Sequence, residues 1–166
     1  MTLDFEDEQT VLLFKSLSDR NVRYMLVGGW AVNYYGYVRA TQDLDIWIAP
    51  TNENKLPFCQ TLIDVGYTEE EIEDIKEQDF TRYFMCTVWL DRGISVDCLT
   101  IMHKNLSFDE AEIQMITFEI KNNIKVKMVS YEFLREMKIR ANRYKDLEDI
   151  KKLDEIRALK NKTKND

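Results

Sequence analysis

A single histidine, two prolines, five glycines and three cysteines are all that 166 residues hold of the types that most often mark chemistry or irregular structure. The lone His103 excludes most histidine-based triads, and its polar neighbours read as a solvated loop. Cys59, Cys86 and Cys98 are odd in number and lack the spacing of zinc ligands, so they read as reduced core thiols rather than disulfide or metal partners. No apolar run approaches the roughly 20 residues of a membrane span, and the segment Met1 to Glu8 is acidic where a secretion signal would be basic. The expectation is a cytoplasmic protein with no membrane partner. With 45% hydrophobic and 32% charged residues, the composition is that of one globular domain, taken as 1–160 with a frayed tail at 161–166.

Basic residues are scarce over most of the chain. Residues 1–120 hold 9 Lys+Arg against 22 Asp+Glu, whereas 121–166 hold 14 against 8, for a net charge of -7. So acidic a body argues against duplex DNA as a partner, because such binding needs many Lys and Arg contacts to phosphate. The C-terminal part is the cationic arm. The acidic run Glu69 to Glu77 carries Ile72 and Ile75 at helical spacing and reads as a solvated face.

What the chain does have is concentrated between Met25 and Ile48. A short apolar strand, Tyr24 to Val27, meets the turn Gly28-Gly29; a helix follows from near Trp30 to Gly36, then a polar loop and a second strand, Asp43 to Ile48. Strand side chains alternate, so Leu44, Ile46 and Ile48 share one face and Asp43, Asp45 and Trp47 the other. The two carboxylates project side by side, roughly 7 Å apart at their alpha carbons. They repel unless neutralised, and a divalent metal is the simplest partner. Glycines between a strand and a helix allow close backbone approach, and the helix's first amides offer a seat for phosphate.

The remaining chain predicts further elements of a mixed α+β fold. Helices are expected over Asp7–Arg20 (Leu13, Phe14 and Leu17 inward), from Thr51 to Gly66 (Leu56, Cys59, Leu62 and Ile63 inward), over Ser107–Met115, and from a Ser130 cap to about Ala141. Hairpins are expected over 81–90 with 94–100, around Asp91-Arg92-Gly93, and over 116–120 with 124–129. Asp146 with Asp149 would cap a last helix. Asp97 is an acid on a strand otherwise made of core residues, either edge decoration or part of a site.

The order strand, Gly28-Gly29, helix, Asp43-Leu-Asp45 resembles the nucleotidyltransferase superfamily that includes DNA polymerase beta. More narrowly, Gly28-Gly29-Trp30-Ala31, Tyr35-Gly36-Tyr37 and Arg39-Ala-Thr41-Gln-Asp43-Leu-Asp45 are similar to the small stand-alone branch related to abortive-infection nucleotidyltransferases, a setting of phage defence and toxin-antitoxin pairs. The resemblance implies a mixed sheet flanked by helices and a C-terminal helical segment. It also implies Mg2+ at a two-metal site held by the catalytic acids Asp43, Asp45 and Asp97, the last matched by Val96-Asp97-Cys98-Leu99-Thr100. Nucleotide contacts would come from Gly28, Gly29, Trp30, Arg39 and Thr41, and from Lys138, Arg143 and Lys145 in the segment Lys138 to Asp149. The implied donor is a nucleoside triphosphate such as ATP, and the acceptor a hydroxyl on a small molecule, a protein or a transfer-RNA end. Trp30 stands where many members have serine, which departs from their phosphate contact. The alternative is a catalytically silent module of this fold, antitoxin-like, acting through a protein partner.

Overall fold

The computed structural model describes residues 5, 7–41 and 43–163. In chain order it contains α1 (Glu8–Asp19), β1 (Tyr24–Val27), α2 (Gly28–Tyr34), β2 (Asp43–Ile48), α3 (Lys55–Asp64), α4 (Glu73–Lys76) and β3 (Met85–Trp89). There follow β4 (Ser95–Leu99), α5 (Phe108–Ile113), β5 (Ile116–Ile120), β6 (Ile124–Met128), α6 (Tyr131–Ala141) and α7 (Tyr144–Lys162). The six strands form one sheet in the order β3-β4-β2-β1-β6-β5. It is mixed, as expected: β2 runs parallel to β4 and β1 parallel to β6, while β1–β2, β3–β4 and β5–β6 are antiparallel.

Local chemistry explains most boundaries. Asp7 accepts the amides of Gln9 and Thr10 at 3.1 and 3.0 Å, which starts α1 and turns Leu13, Phe14 and Leu17 inward. Ser130 does the same for α6 through the Phe133 amide, and Asn142, left-handed at φ 50°, stops it. Helix α2 begins directly on β1, two residues before the expected start at Trp30, because Gly28 takes φ +68° and turns the chain without a linker.

The two faces of the sheet are used differently. The face carrying Tyr24, Leu26, Leu44 and Ile46 lies under α1, whose Phe14 ring is 5.9 Å from that of Tyr24. On the other face Trp47 is roofed by Phe108 and Phe133, with ring centroids at 5.2 and 6.1 Å, and its Nε1–H donates to the Thr100 carbonyl at 2.9 Å. The roof stops there. One turn of the pleat before Trp47 this face is left open, and the acidic residues of β2 and β4 occupy it.

Several expectations shift. The helix predicted from Thr51 is preceded by a 3-10 turn over Asn52–Asn54, and Leu56 points outward, 70% exposed. Asn54 is buried instead, since its carboxamide accepts the Arg23 amide at 2.8 Å and donates to the Arg23 carbonyl at 2.9 Å, joining α3 to the start of β1. Strand β3 is shorter than the 81–90 expected. Cys59 and Cys98 are buried thiols, but Cys86, across the β3–β4 ladder from Cys98, is only half-buried. Helix α7 continues through Asn161 and Lys162, where a frayed tail was expected, and 164–166 lie outside the described residues. Among the described residues no helix is long and apolar enough to cross a membrane.

Asn54→Ala removes both bonds to Arg23 and leaves the Arg23 amide unpaired, while the Arg23 carbonyl keeps the Ala49 amide at 3.0 Å; the loss of about 2 kcal/mol should lower the melting temperature by roughly 4–8 °C. Thermal unfolding followed by circular dichroism measures it.

Candidate active site

Parallel pairing of β2 with β4 places Asp45 opposite Asp97 and Asp43 opposite Ser95. All three acids therefore share the open face. Each is held by a separate donor: the Ser95 hydroxyl bonds Asp43, the Thr87 hydroxyl donates to Asp97 at 2.7 Å, and the Gly29 amide donates to Asp45. Burial, and next the neighbouring Asp97, push the Asp45 carboxyl up to about 6, with the Gly29 amide and Lys138 acting the other way. Among the described residues no three His, Cys, Asp or Glu side chains are grouped closely enough to hold a metal ion as they stand. The donor set itself, three hard carboxylates on adjacent strands with excess negative charge, suits Mg2+.

The glycines form the floor beside these acids. A β-carbon on Gly28 would lie 1.9 Å from Asp45 Oδ2, and one on Gly29 2.5 Å from Thr41 Oγ1 and 3.3 Å from Arg39 Nη1. Only residues without side chains let Asp45 and the Arg39–Thr41 loop approach so closely. Trp30 does not join them. Its ring lies in the core, edge-on to Phe5 at 5.1 Å, so the nucleotide contact expected of Trp30 is not offered to this floor. The packing of the first turn of α2 beneath β1 directs the side chain inward.

Across the floor stands a network of ions. Lys138, with its side chain 8% exposed, donates to Asp146 at 2.9 Å and to Asp149 at 2.8 Å. Arg39 grips Asp149 with two bonds, at 2.7 and 2.9 Å, and Arg143 grips Asp146 at 2.6 and 3.2 Å. Burial would raise both carboxyls, but Arg143 and Lys138 at Asp146, and Arg39 and Lys138 at Asp149, outweigh it and hold them below the usual range. Asp146 also accepts the Arg143 amide at 3.3 Å, so it caps the start of α7 as its position suggested, through the one half of a capping box that an N-cap arginine, which has no acceptor, permits. Asp149 caps nothing. It sits a turn inside α7 as the shared anion of Arg39 and Lys138, a long-range pairing that helix-cap reasoning does not reveal.

Two cavities meet here. A polar cleft of about 380 Å³ has Gly28 and Gly29 beneath it, Thr41, Asp43 and Asp45 along one side, and the heads of Arg39, Lys138, Arg143 and Lys145 along the other, Arg39 joined to Lys138 through Asp149. An apolar compartment of about 340 Å³ adjoins it, sharing Gly28, Lys138 and Arg143 and walled mainly by Met102, Leu106, Leu134 and Met137. His103 lines this compartment, half-buried, its Nδ1 accepting the Asn105 amide at 3.2 Å, rather than standing in solvent as expected. Met102 and Leu106, apolar residues flanking His103 in the sequence, were the available signal. Asp97 lines neither cavity; beside it the face continues onto β3, with Thr87 and the exposed Trp89.

No protein-family model matches this chain, and no curated protein matches it. Solved structures do. A candidate nucleotidyltransferase from Thermotoga maritima aligns with TM-score 0.57 at 13% identity, over 86% of this chain and 88% of that one. An antigenic nucleotidyltransferase-like protein from Paracoccidioides brasiliensis aligns with TM-score 0.54 at 19% identity, over 87% and 74%. The antibiotic-resistance factor ANT(2'')-Ia aligns with TM-score 0.51 at 14% identity, over 95% and 91%. The chain thus has the nucleotidyltransferase fold.

Two stability measurements follow from the charges. The Asp45 carboxyl is raised on folding, so its ionisation destabilises the fold progressively from about pH 4 to about pH 6 and fully above that range. Asp45→Asn should therefore melt about 5 °C above the parent at pH 7.5 without divalent cations and show no advantage near pH 3.5. Lys138→Met leaves Asp146 and Asp149 short of a cation in the interior and should cost about 3 kcal/mol or more, seen as a lowered urea midpoint.

Proposed function

We propose that the protein is a Mg2+-dependent nucleotidyltransferase that moves a nucleoside monophosphate from a nucleoside triphosphate onto an acceptor hydroxyl. The observation that carries this reading is the opposition, across one cleft of about 380 Å³, of the β2 carboxylates to the cationic heads of Arg39, Lys138, Arg143 and Lys145. We also place it with the small stand-alone abortive-infection branch, on the likeness of Gly28–Ala31, Tyr35–Tyr37 and Arg39–Asp45.

Asp43, Asp45 and Asp97 would hold the magnesium. When bound, it neutralises phosphate charge and polarises the phosphorus under attack. Arg39, Lys138 and Arg143 exceed their two buried counter-ions by one positive charge, and Lys145 adds another at the rim, so this wall receives the outer phosphates and stabilises the departing pyrophosphate. Gly28 and Gly29 keep the floor low enough for the phosphates to reach both walls. Asp97, held by Thr87 on the open ledge, takes the proton of the acceptor hydroxyl. The acceptor oxygen bonds to the α-phosphorus as the bond to the bridging oxygen of pyrophosphate breaks. The choice among a small-molecule, protein or transfer-RNA acceptor belongs to the surface around that ledge, since a fold does not select a substrate.

Thermal unfolding with each nucleoside triphosphate, with and without Mg2+, tests the reading. At about 100 times the dissociation constant a ligand adds about 2.7 kcal/mol, a rise of roughly 5–10 °C. The rise should require Mg2+ and disappear in Asp43→Asn. No rise with any triphosphate would instead favour a silent module of this fold.

A further inference from the structure

We propose that the outer edge of β3 is a docking site for an extended basic polypeptide, which adds to the six-stranded sheet as a further strand. The site stands apart from the nucleotidyl-transfer reading and rests first on hydrogen-bond parity. The Leu90 amide donates to the Ile94 carbonyl at 2.8 Å and the Thr100 amide to the Phe84 carbonyl at 3.1 Å, so the even-numbered residues of this strand face β4. Met85, Thr87 and Trp89 therefore turn their amides and carbonyls away from the sheet, where β3, as its first strand, has no neighbour. The Tyr67 hydroxyl serves Trp89, accepting its amide at 2.7 Å and donating to its carbonyl at 3.3 Å. Among the described residues nothing serves the outward groups of Met85 and Thr87.

Such an edge is a template for another chain, and folded proteins commonly blunt theirs with charge or proline. The far edge of this sheet does so with the exposed Glu119 on β5. The near edge, from Tyr83 to Leu90, has no charge, proline or glycine, and Tyr83, Met85 and Trp89 stand exposed along it. Charge selects the occupant. The segment leading into β3 leaves Tyr67 at the Trp89 end of the edge and returns at Phe80, whose ring stacks on Phe84 at 4.9 Å. Between them Glu69 to Glu77 holds six exposed carboxylates against one lysine, and its helix α4 packs on α3, which lies with α1 on the sheet face of Cys86 and Val88. Asp97 lies on the opposite face, one strand in from Thr87. A strand added roughly 4.8 Å beyond β3 thus runs between two acidic faces. A second copy of this chain would bring its own acidic segment against the first, whereas lysine or arginine at alternate positions is attracted. The remaining positions, beside Met85, Thr87 and Trp89, suit β-branched residues.

Calorimetric titration of the full chain with synthetic peptides of about nine residues tests the assignment. One alternates lysine with valine and threonine, a second has glutamate for each lysine, and a third keeps the charges of the first but has methylated backbone amides, so that it cannot donate. At low ionic strength the first should bind at least about 10-fold more tightly than either of the others. Met85→Pro removes an outward amide and leaves the even-numbered ladder to β4 intact, while Glu70→Lys with Asp74→Lys reverses exposed charge in the acidic segment. Each variant should bind the first peptide about 5-fold more weakly and melt within about 4 °C of the parent. Equal binding of the first and methylated peptides means charge attraction without strand addition and overturns the proposal. So do equal binding of the lysine and glutamate peptides, no binding of the first up to about 1 mM, and unchanged affinity in both folded variants. If Met85→Pro does not fold, the methylated peptide probes the same bonds from the ligand side. Sedimentation that shows the chain alone forming a dimer lost on Glu70→Lys or Met85→Pro gives the edge to a second copy, which also overturns the proposal.

Discussion

Asp146 and Asp149 lie in the interior with almost no access to solvent, and both are held below the usual carboxylate range because an arginine grips each, Arg143 and Arg39, and Lys138 stands between them. Removing a carboxylate from water costs several kcal/mol, and a single ion pair seldom offsets that. Here the compensation is shared: each aspartate has Lys138 on one side and the paired nitrogens of an arginine on the other. The pairs join the loop after α2 to the consecutive helices α6 and α7, Arg39 reaching Asp149 across 110 positions. The cationic wall of the cleft is consequently fixed by the same contacts that dock the C-terminal helices onto the sheet.

The opposite wall is built by the reverse principle. Its acids are fixed by backbone register, which sets Asp45 beside Asp97 whatever their charges prefer, and hydroxyls and an amide rather than cations serve them. One wall carries unneutralised negative charge and the other a surplus of positive charge, with two glycines between. Direct collapse of one onto the other is prevented because Lys138, Arg39 and Arg143 are already committed to Asp146 and Asp149. The cleft stays polarised, and a polyanion accompanied by a divalent cation complements both sides at once.

Much of this architecture is local in origin and was legible in the sequence for that reason. The alternation of β2, the Ser130 cap and the Asp91-Arg92-Gly93 turn act over a few residues, and the corresponding elements lie where those signals put them. Gly28, Gly29, Asp43 and Asp45 were legible as a unit because they sit within 18 consecutive positions. What escaped depends on partners far along the chain. Arg39 meets Asp149 across 110 positions, so Asp149 read as a cap and Lys138 as a free phosphate ligand, when each is first an internal counter-ion. Leu56 was misjudged for a related reason: helical periodicity says which residues share a side, but the packing of neighbouring elements decides which side is inside, and the same packing turns the ring of Trp30, placed at the nucleotide by resemblance alone, into the core.

The backbone around Asp45 bears on whether the acids are incidental. A carboxylate at that position raises its own ionisation threshold by burial and by proximity to Asp97, and it gives the core no apolar contact in return. The chain nevertheless accommodates it with a glycine at φ +68°, where any β-carbon would collide with the Asp45 carboxylate. For stability alone a smaller uncharged residue at position 45 would remove the repulsion, while Gly28 would still be required by its φ of +68° and by the β-carbon of residue 45, which a β-carbon on Gly28 would meet at 2.9 Å. The fold thus carries at Asp45 a half-buried charge that its stability does not require.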